Sequence, residues 1–227
     1  MTEPSAPDVV VLCAHGTADP AGRQTVVDLG WAVARARPDL QVELAYVDVQ
    51  EPKVADVVGR WAATSRVRVV PLLLSTGYHV QVDIADAIRP WPTASATGPL
   101  GPHPLLTRLL RDRLVQAGAQ PGNQVVLAAA GSSRPDAAHD VEQVRDDLAA
   151  LWDGPVAIGY GSATAPSVRQ AVTTARAAGI GRVVVASYLL APGYFNQLLA
   201  DAGADLVTTP LGADPLVVAV VEDRLRE

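Results

Sequence analysis

Short apolar runs alternate with amphipathic segments along the whole chain. Runs such as VVVL and VVVASYLL contain hardly any polar positions, which is typical of strands that helices cover on both faces of a parallel sheet. The pattern predicts strands at residues 9–14, 42–46, 67–74, 94–97, 124–129, 156–160, 182–190 and 205–208. It predicts helices at residues 22–36, 52–63, 79–89, 104–117, 135–151, 166–178, 194–202 and 215–226. This alternation favours right-handed crossovers and open α/β sheets.

Prolines stand where five of the predicted helices begin. They are Pro52, Pro104, Pro135, Pro166 and Pro215. Proline suits the first position of a helix because its missing N–H would have no partner there. We therefore expect each of these helices to start at its proline.

The chain contains two copies of one unit. Residues 8–16 (DVVVLCAHG) match residues 123–131 (NQVVLAAAG), and a second pair of matching segments lies at 69–81 and 185–197. The spaced pattern PLG, PL, DRL at 99–114 returns at 210–225. Three matches in the same order indicate a duplication.

The fold class that we predict is α/β, with two similar lobes at residues 1–118 and 119–227. Each lobe has a mostly parallel four-stranded sheet flanked by helices, and a cleft separates the lobes.

Three strand ends of the first copy carry side chains that can bind a metal or accept a proton. Ligands of open α/β sheets bind beyond the carboxyl ends of the strands, and His15, Asp48 and His79 follow the first three predicted strands. Two imidazoles and a carboxylate suit a divalent transition metal. We expect His15 and His79 to bind the metal, and these two residues to act in catalysis together with Asp48.

The second copy lacks these side chains. His15 aligns with Ala130 and His79 with Phe195, and Asp48 aligns near Ser162, where the second copy has no acidic residue. Because one copy folds without the histidines, their presence in the other favours a functional role.

Glycines and tyrosines such as Tyr78 and Tyr194 occur in both copies, and we interpret them as architectural. We interpret His103 as a turn or helix-cap residue. We expect His139 to be solvated and Cys13 to be a small buried hydrophobic residue.

Composition excludes several function classes. The 227 residues are 49% hydrophobic and 19% charged, a globular balance. A net charge of −6 and 4% aromatic residues argue against a nucleic-acid partner. One cysteine excludes an internal disulfide, and no apolar run reaches the ~18 residues of a membrane span. No glycine-rich nucleotide-binding motif is present. We expect a cytoplasmic protein without a nucleotide, nucleic-acid or membrane partner.

Several of these motifs together resemble one family. The HGT segment after the first strand, YVDVQEP, PLLLSTGYHVQVDI and the PLG block resemble the sirohydrochlorin chelatases, the type II chelatases of the CbiX and SirB kind, in their two-lobe form. The resemblance implies that a tetrapyrrole enters the cleft and takes up Co²⁺ or Fe²⁺, or in a rarer pathway Ni²⁺, without ATP. The product would serve cobalamin or sirohaem biosynthesis. His15 and His79 fall on the family's site histidines, and Asp48 falls where the family often carries glutamate.

The resemblance and the residue pattern agree on a mechanism. Insertion needs a metal ion and the loss of two pyrrole protons, and imidazole can bind borderline metals and accept protons near neutral pH. We expect one histidine to hand over the metal while the other relays protons, with Asp48 orienting a histidine or acting as a weak ligand. Candidates for binding the tetrapyrrole and its carboxylates are Tyr78, Arg23 and Arg89, with Lys53 and Arg134 as further basic residues.

Two other functions remain open. A tetrapyrrole- or metal-binding carrier without turnover would keep the same fold, and Asp48 in place of a glutamate leaves room for it. A histidine phosphatase would use His15, but such enzymes place an arginine directly before the histidine, where this chain has Ala14. Because two fused lobes already form a cleft, we expect a monomer, with a homodimer as the alternative.

Overall fold

The structure is a computed structural model, and it describes residues 9–77, 80–162, 164–179 and 181–227. Within these ranges the chain forms two four-stranded sheets. The strands of the first sheet are β1 (Val9–Ala14), β2 (Gln41–Tyr46), β3 (Val67–Pro71) and β4 (Ala94–Ala96). Those of the second are β5 (Gln124–Ala129), β6 (Val156–Tyr160), β7 (Val183–Tyr188) and β8 (Leu206–Val207).

Helices follow the strands in both copies. In the first copy they are α1 (Pro20–Ala36), α2 (Val54–Ala62), α3 (Ala85–Ile88) and α4 (Pro104–Gln116), and a π-helical turn at Val80–Ile84 leads into α3. In the second copy they are α5 (Pro135–Leu151), α6 (Val168–Ala177), α7 (Tyr194–Ala200) and α8 (Pro215–Arg226).

The two sheets have the same topology. Every strand pair is parallel, and the strand orders β2-β1-β3-β4 and β6-β5-β7-β8 are equivalent. The central strands β1 and β5 are buried along their whole length, as expected for apolar strands covered on both faces. The predicted α/β class with two similar parallel sheets is therefore confirmed. The division into lobes at residues 118 and 119 stays a prediction.

Two of the five prolines do not start a helix, so the prediction for Pro52 and Pro166 is wrong. Helix α2 begins at Val54 and α6 at Val168. The carbonyls of the two prolines instead accept backbone hydrogen bonds at 3.0 and 2.9 Å, from the last residues of β2 and β6. Both prolines lie in bends, and the residue after each forms an isolated parallel bridge with the end of β2 or β6. The other three prolines begin α4, α5 and α8 as predicted.

The third strand of each copy ends earlier than the apolar runs predicted. Strand β3 stops at Pro71 and β7 at Tyr188. The apolar residues that follow, 72–74 and 189–190, leave the sheet and line a cavity. Their hydrophobicity therefore reflects a cavity wall, which an apolar run alone does not distinguish from a strand.

The last helix of each copy packs on the sheet of the other copy. Helix α4 contacts β7 of the second sheet, and α8 contacts β3 of the first; the two helices also contact one another. Leu12 and Leu127 from the central strands and Leu110 and Val217 from the exchanged helices belong to one buried cluster. The two sheets therefore share a core.

Equivalent arginines join the two copies. The Arg113 guanidinium on α4 donates to the Leu211 carbonyl and to the Asp214 carboxylate, both at 3.1 Å. The Arg224 guanidinium on α8 donates to the Pro99 carbonyl at 2.7 Å, as well as to carbonyls at positions 100 and 102. Each arginine of the repeated DRL motif thus binds the PLG turn of the opposite copy.

Candidate functional site

The carboxyl ends of the central strands surround a cavity of about 710 Å³. It is lined by both copies, chiefly by residues 14–18 and 72–75 of the first and residues 129–133 and 188–196 of the second. Its volume falls within the ~300–1,000 Å³ of small-molecule sites. The described lining contains no lysine, arginine, aspartate or glutamate.

A sharp turn presents His15 to this cavity. His15 directly follows β1, is exposed and lines the cavity. Its carbonyl accepts a hydrogen bond from the Asp48 N–H at 3.2 Å, and Nδ1 lies 3.3 Å from the Gly16 carbonyl oxygen. Gly16 has a φ of 94°, and a Cβ there would lie 3.1 Å from the Gln50 backbone nitrogen. Glycine is therefore required where the chain turns, and the imidazole stands at the sheet edge.

Asp48 contacts His15 through its backbone. Its side chain is exposed, and its carbonyl accepts a hydrogen bond from the Lys53 ammonium group. The neighbouring Val49 lines the cavity, whereas Asp48 is not part of the lining that the structure describes. The metal-site role of the Asp48 carboxylate stays a prediction.

His79 and Tyr78, predicted for the metal and the tetrapyrrole, lie outside the described residues. Gly77, the last described residue before them, lines the cavity. Among the described side chains, no group of three or more histidine, cysteine, aspartate or glutamate residues is arranged to hold a metal ion. The second metal-binding histidine therefore stays a prediction from the sequence.

The predicted basic residues stand outside the described cavity lining. The Arg23 guanidinium donates from Nε to the Thr17 carbonyl at 2.8 Å, which places it next to the lining. Arg89, at the end of α3, pairs with Asp86. Arg134 directly precedes α5. Their roles toward a tetrapyrrole stay predictions.

The second copy contributes a wall without imidazoles. Ala130, Ser162 and Phe195, the equivalents of the predicted site residues, all line the same cavity as His15. Tyr194 lines it too and is 70% exposed, with its ring centroid 5.6 Å from that of Phe195. The architectural interpretation is therefore wrong for Tyr194, because an exposed ring contributes little to the core.

Two side chains of the second copy hold the segment that leads from β3 toward residue 77. The buried Tyr188 hydroxyl donates to the Leu74 carbonyl at 2.8 Å, and burial raises the pKa of this phenol. The Asp140 carboxylate accepts from the Thr76 N–H at 2.6 Å. The sequence reasoning missed both contacts, because each joins positions more than sixty residues apart and follows no local pattern.

The remaining side-chain interpretations are confirmed. His103 caps α4, because its Nδ1 accepts from the Leu105 N–H at 3.2 Å. The His139 side chain is 82% exposed. Cys13 is buried, and this burial raises its pKa to about 12. None of the helices in the described part of the chain has both the length and the apolar character to cross a membrane.

Comparison with known proteins adds the family context. The CbiX family model matches residues 9–117 and again residues 124–227. A sirohydrochlorin cobaltochelatase of Methanothermobacter thermautotrophicus is 26% identical over 45% of this chain and 90% of its own length. SirB from Bacillus subtilis with Fe³⁺ is 22% identical with a TM-score of 0.76, and SirB from B. subtilis subspecies spizizenii in complex with cobalt is 21% identical with a TM-score of 0.72. Each comparison covers 96% of this chain and 94% of the solved chain. At these identities, the likeness to the solved structures shows a shared fold.

Proposed function

The chain belongs to the CbiX family, and from this premise we propose that it inserts a divalent metal ion, Co²⁺ or Fe²⁺, into sirohydrochlorin or a closely related tetrapyrrole. One observation carries the proposal: His15, at the end of a strand, lines a cavity of about 710 Å³ to which both copies contribute. An imidazole beside a largely apolar cavity combines a metal ligand and proton acceptor with a surface that fits a macrocycle.

In this proposal the metal is a substrate that His15 helps to deliver. The imidazole binds the incoming ion and is also able to take a proton from a pyrrole N–H. His79 is the second imidazole of the proposed pair, so that one histidine delivers metal while the other accepts protons. The turn at Gly16 fixes the position of His15, and positioning supplies much of the rate gain in such reactions.

In the proposed reaction a single chain is sufficient and no ATP is consumed. Because both walls of the cavity come from one chain, a monomer contains the proposed site. We propose a reaction that proceeds without ATP, and addition of ATP should leave the initial rate unchanged. An ATP-dependent rate would contradict this part of the proposal.

Anaerobic turnover tests the proposed activity. Protein at one-twentieth of the sirohydrochlorin concentration is mixed with Co²⁺ or Fe²⁺, and the absorbance change of the macrocycle is followed against a protein-free control. Many insertions per protein molecule, faster than the control, would support an enzyme. One equivalent of change followed by a halt would support a carrier instead. Competition between limiting Co²⁺ and Fe²⁺ then identifies the preferred metal.

A further inference from the structure

The two copies contribute chemically different residues at equivalent positions of one cavity. The first contributes His15 and the second Ala130, each directly after its central strand. Phe195 stands in the second copy where His79 stands in the first. The duplication has therefore diverged into a wall with imidazole chemistry and a wall without it.

Two adjacent aromatic rings of the second copy, Tyr194 and Phe195, line the cavity. Tyr194 and Phe195 pack edge to face at an interplanar angle of 62°. Phe195 lies against the backbone, because a Cβ on Gly161 would be 2.7 Å from its Cδ1 atom. Tyr194 stays 70% exposed although it lines the cavity. An aromatic ring held by its neighbour, with its own surface open toward an apolar cavity, is available to a flat apolar ligand.

This aromatic pair lies beside the turn that carries His15. A Cβ on Gly193, the residue before Tyr194, would lie 3.4 Å from the Thr17 hydroxyl oxygen. A Cβ on Gly22 would be only 2.4 Å from the Pro192 carbonyl oxygen. The segment before the aromatic pair is thus packed against the segment that follows His15, and both the rings and the imidazole line the same cavity.

We propose that Tyr194 and Phe195 form an aromatic wall that binds the tetrapyrrole ring, while His15 acts on the metal. This inference rests on the proposed function and assigns the two substrates to different copies of the repeat. The wall binds the macrocycle before and after metal insertion alike, so its loss should weaken binding more than it slows the chemical step. The described lining contains no lysine, arginine, aspartate or glutamate, which suits the apolar ring system of the macrocycle.

Separate binding measurements test this assignment. Metal-free sirohydrochlorin is titrated into wild-type protein, Tyr194→Ala, Tyr194→Phe and His15→Ala, and Co²⁺ alone is titrated into the same four proteins. We expect Tyr194→Ala to raise the Kd for sirohydrochlorin about fivefold, the scale of an aromatic pair, without changing the Kd for Co²⁺. Tyr194→Phe keeps the ring and should bind sirohydrochlorin as wild type does. His15→Ala should show the reverse pattern, with weakened Co²⁺ binding alone.

Kinetics and a matched control complete the test. In turnover assays Tyr194→Ala should raise KM about fivefold with kcat within about twofold of wild type. Trp31→Ala removes another aromatic ring, 58% exposed on α1 and outside the described cavity lining, and should change neither constant. An unaltered Kd in Tyr194→Ala, or a Tyr194→Phe variant as weak as Tyr194→Ala, would overturn the aromatic wall.

The outcomes separate this inference from the proposed function. Wild-type protein that binds sirohydrochlorin without turnover would contradict the enzyme, while the comparison of Kd values would still support or overturn the wall. Normal turnover with equal Kd values in all Tyr194 variants would overturn the wall and leave the enzyme supported. Wild-type protein that binds no tetrapyrrole would overturn both.

Discussion

Among single residues, the two strand-end turns show what the duplication kept and what it changed. Gly16 and Gly131 both have positive φ angles, 94° and 91°, and both pack closely against the segment after the second strand of their own sheet. The residue before each glycine differs, since it is His15 in one copy and Ala130 in the other. The turn therefore belongs to the architecture, whereas the imidazole is dispensable for folding.

Replacing the strand-end histidine should separate activity from stability. We expect His15→Ala to lower the insertion rate by about 100-fold or more, the usual contribution of a positioned proton acceptor. The urea unfolding midpoint should stay unchanged, because alanine already occupies the equivalent position in the second copy. Steady-state kinetics and urea titration measure the two effects. Full activity in the variant would show that His15 is not part of the active site. The variant His79→Ala tests the second histidine in the same way.

Cys13 should resist thiol reagents in the folded protein. It lies inside β1, and burial raises the pKa of its thiol to about 12, so that thiolate is scarce at pH 8. We expect no labelling by a maleimide at pH 8 over the time in which the protein denatured in urea is labelled completely. Mass spectrometry follows the reaction. Rapid labelling of the native protein would show that β1 opens readily.

At the scale of secondary structure, most elements could be predicted because their signals are local. Strands β1, β5 and β6 and helices α5 and α8 have the predicted bounds. The errors arise where a local signal has two structural meanings. Proline suits both a helix start and a bend, and Pro52 and Pro166 lie in bends that precede their helices. An apolar run suits both a strand and a cavity wall, which explains the overextended β3.

The cap of α4 makes the stability of the protein depend on pH. His103 Nδ1 accepts from the Leu105 N–H, which requires the neutral ring with its proton on Nε2, 3.3 Å from an Asp223 oxygen. Burial and, to a smaller degree, the Arg224 charge lower the pKa of His103, although Asp223 acts in the opposite direction. The folded state thus binds this proton less readily than the unfolded state. Its contribution to stability is complete above the unfolded pKa of about 6.5 and falls as the pH decreases toward the lower folded pKa.

Urea titrations at pH 7.5 and pH 5 should show this dependence. We expect wild-type protein to lose more stability between the two values than His103→Asn, because asparagine caps helices without titrating in this range. Asp214 caps α8 at the equivalent position of the second copy, so a non-imidazole cap is compatible with this turn. Equal losses in both proteins would contradict a titrating cap.

At the scale of the whole molecule, the cavity combines features that the sequence predicted with features that it did not. His15 and a cleft between two similar units could be predicted from the repeat and the strand ends. Tyr188 and Asp140, which hold the segment after β3 from the other copy, could not. Neither could the exchange of α4 and α8. These features depend on which copy a helix covers, and amphipathic periodicity shows that a helix face is buried but not against which sheet.

The crossed arginines should contribute to global stability. Arg224 is only 16% exposed and donates to three carbonyls of the first copy. Its loss leaves partly buried carbonyls without this charged donor, so we expect Arg224→Ala to lower the free energy of unfolding by about 1.5–3 kcal/mol. Arg108→Ala is the matched control, because Arg108 is 65% exposed and its ion pair spans 4.0 Å; it should cost about 0.5 kcal/mol or less. Equal effects in urea titrations would show that the crossed contacts contribute little.

The exchange of the last helices makes the covalent connection between the copies less important than the packing. A protease cut in the exposed stretch at 120–122 would leave two fragments, each still covering the sheet of the other, so the nicked protein should migrate as one particle. In a fragment produced by itself, α4 or α8 would have no sheet of the other copy to pack on. The sheet of that fragment would in turn lack the helix that the other copy contributes. Such a half-molecule could restore this packing by exchanging its last helix with a second copy of itself.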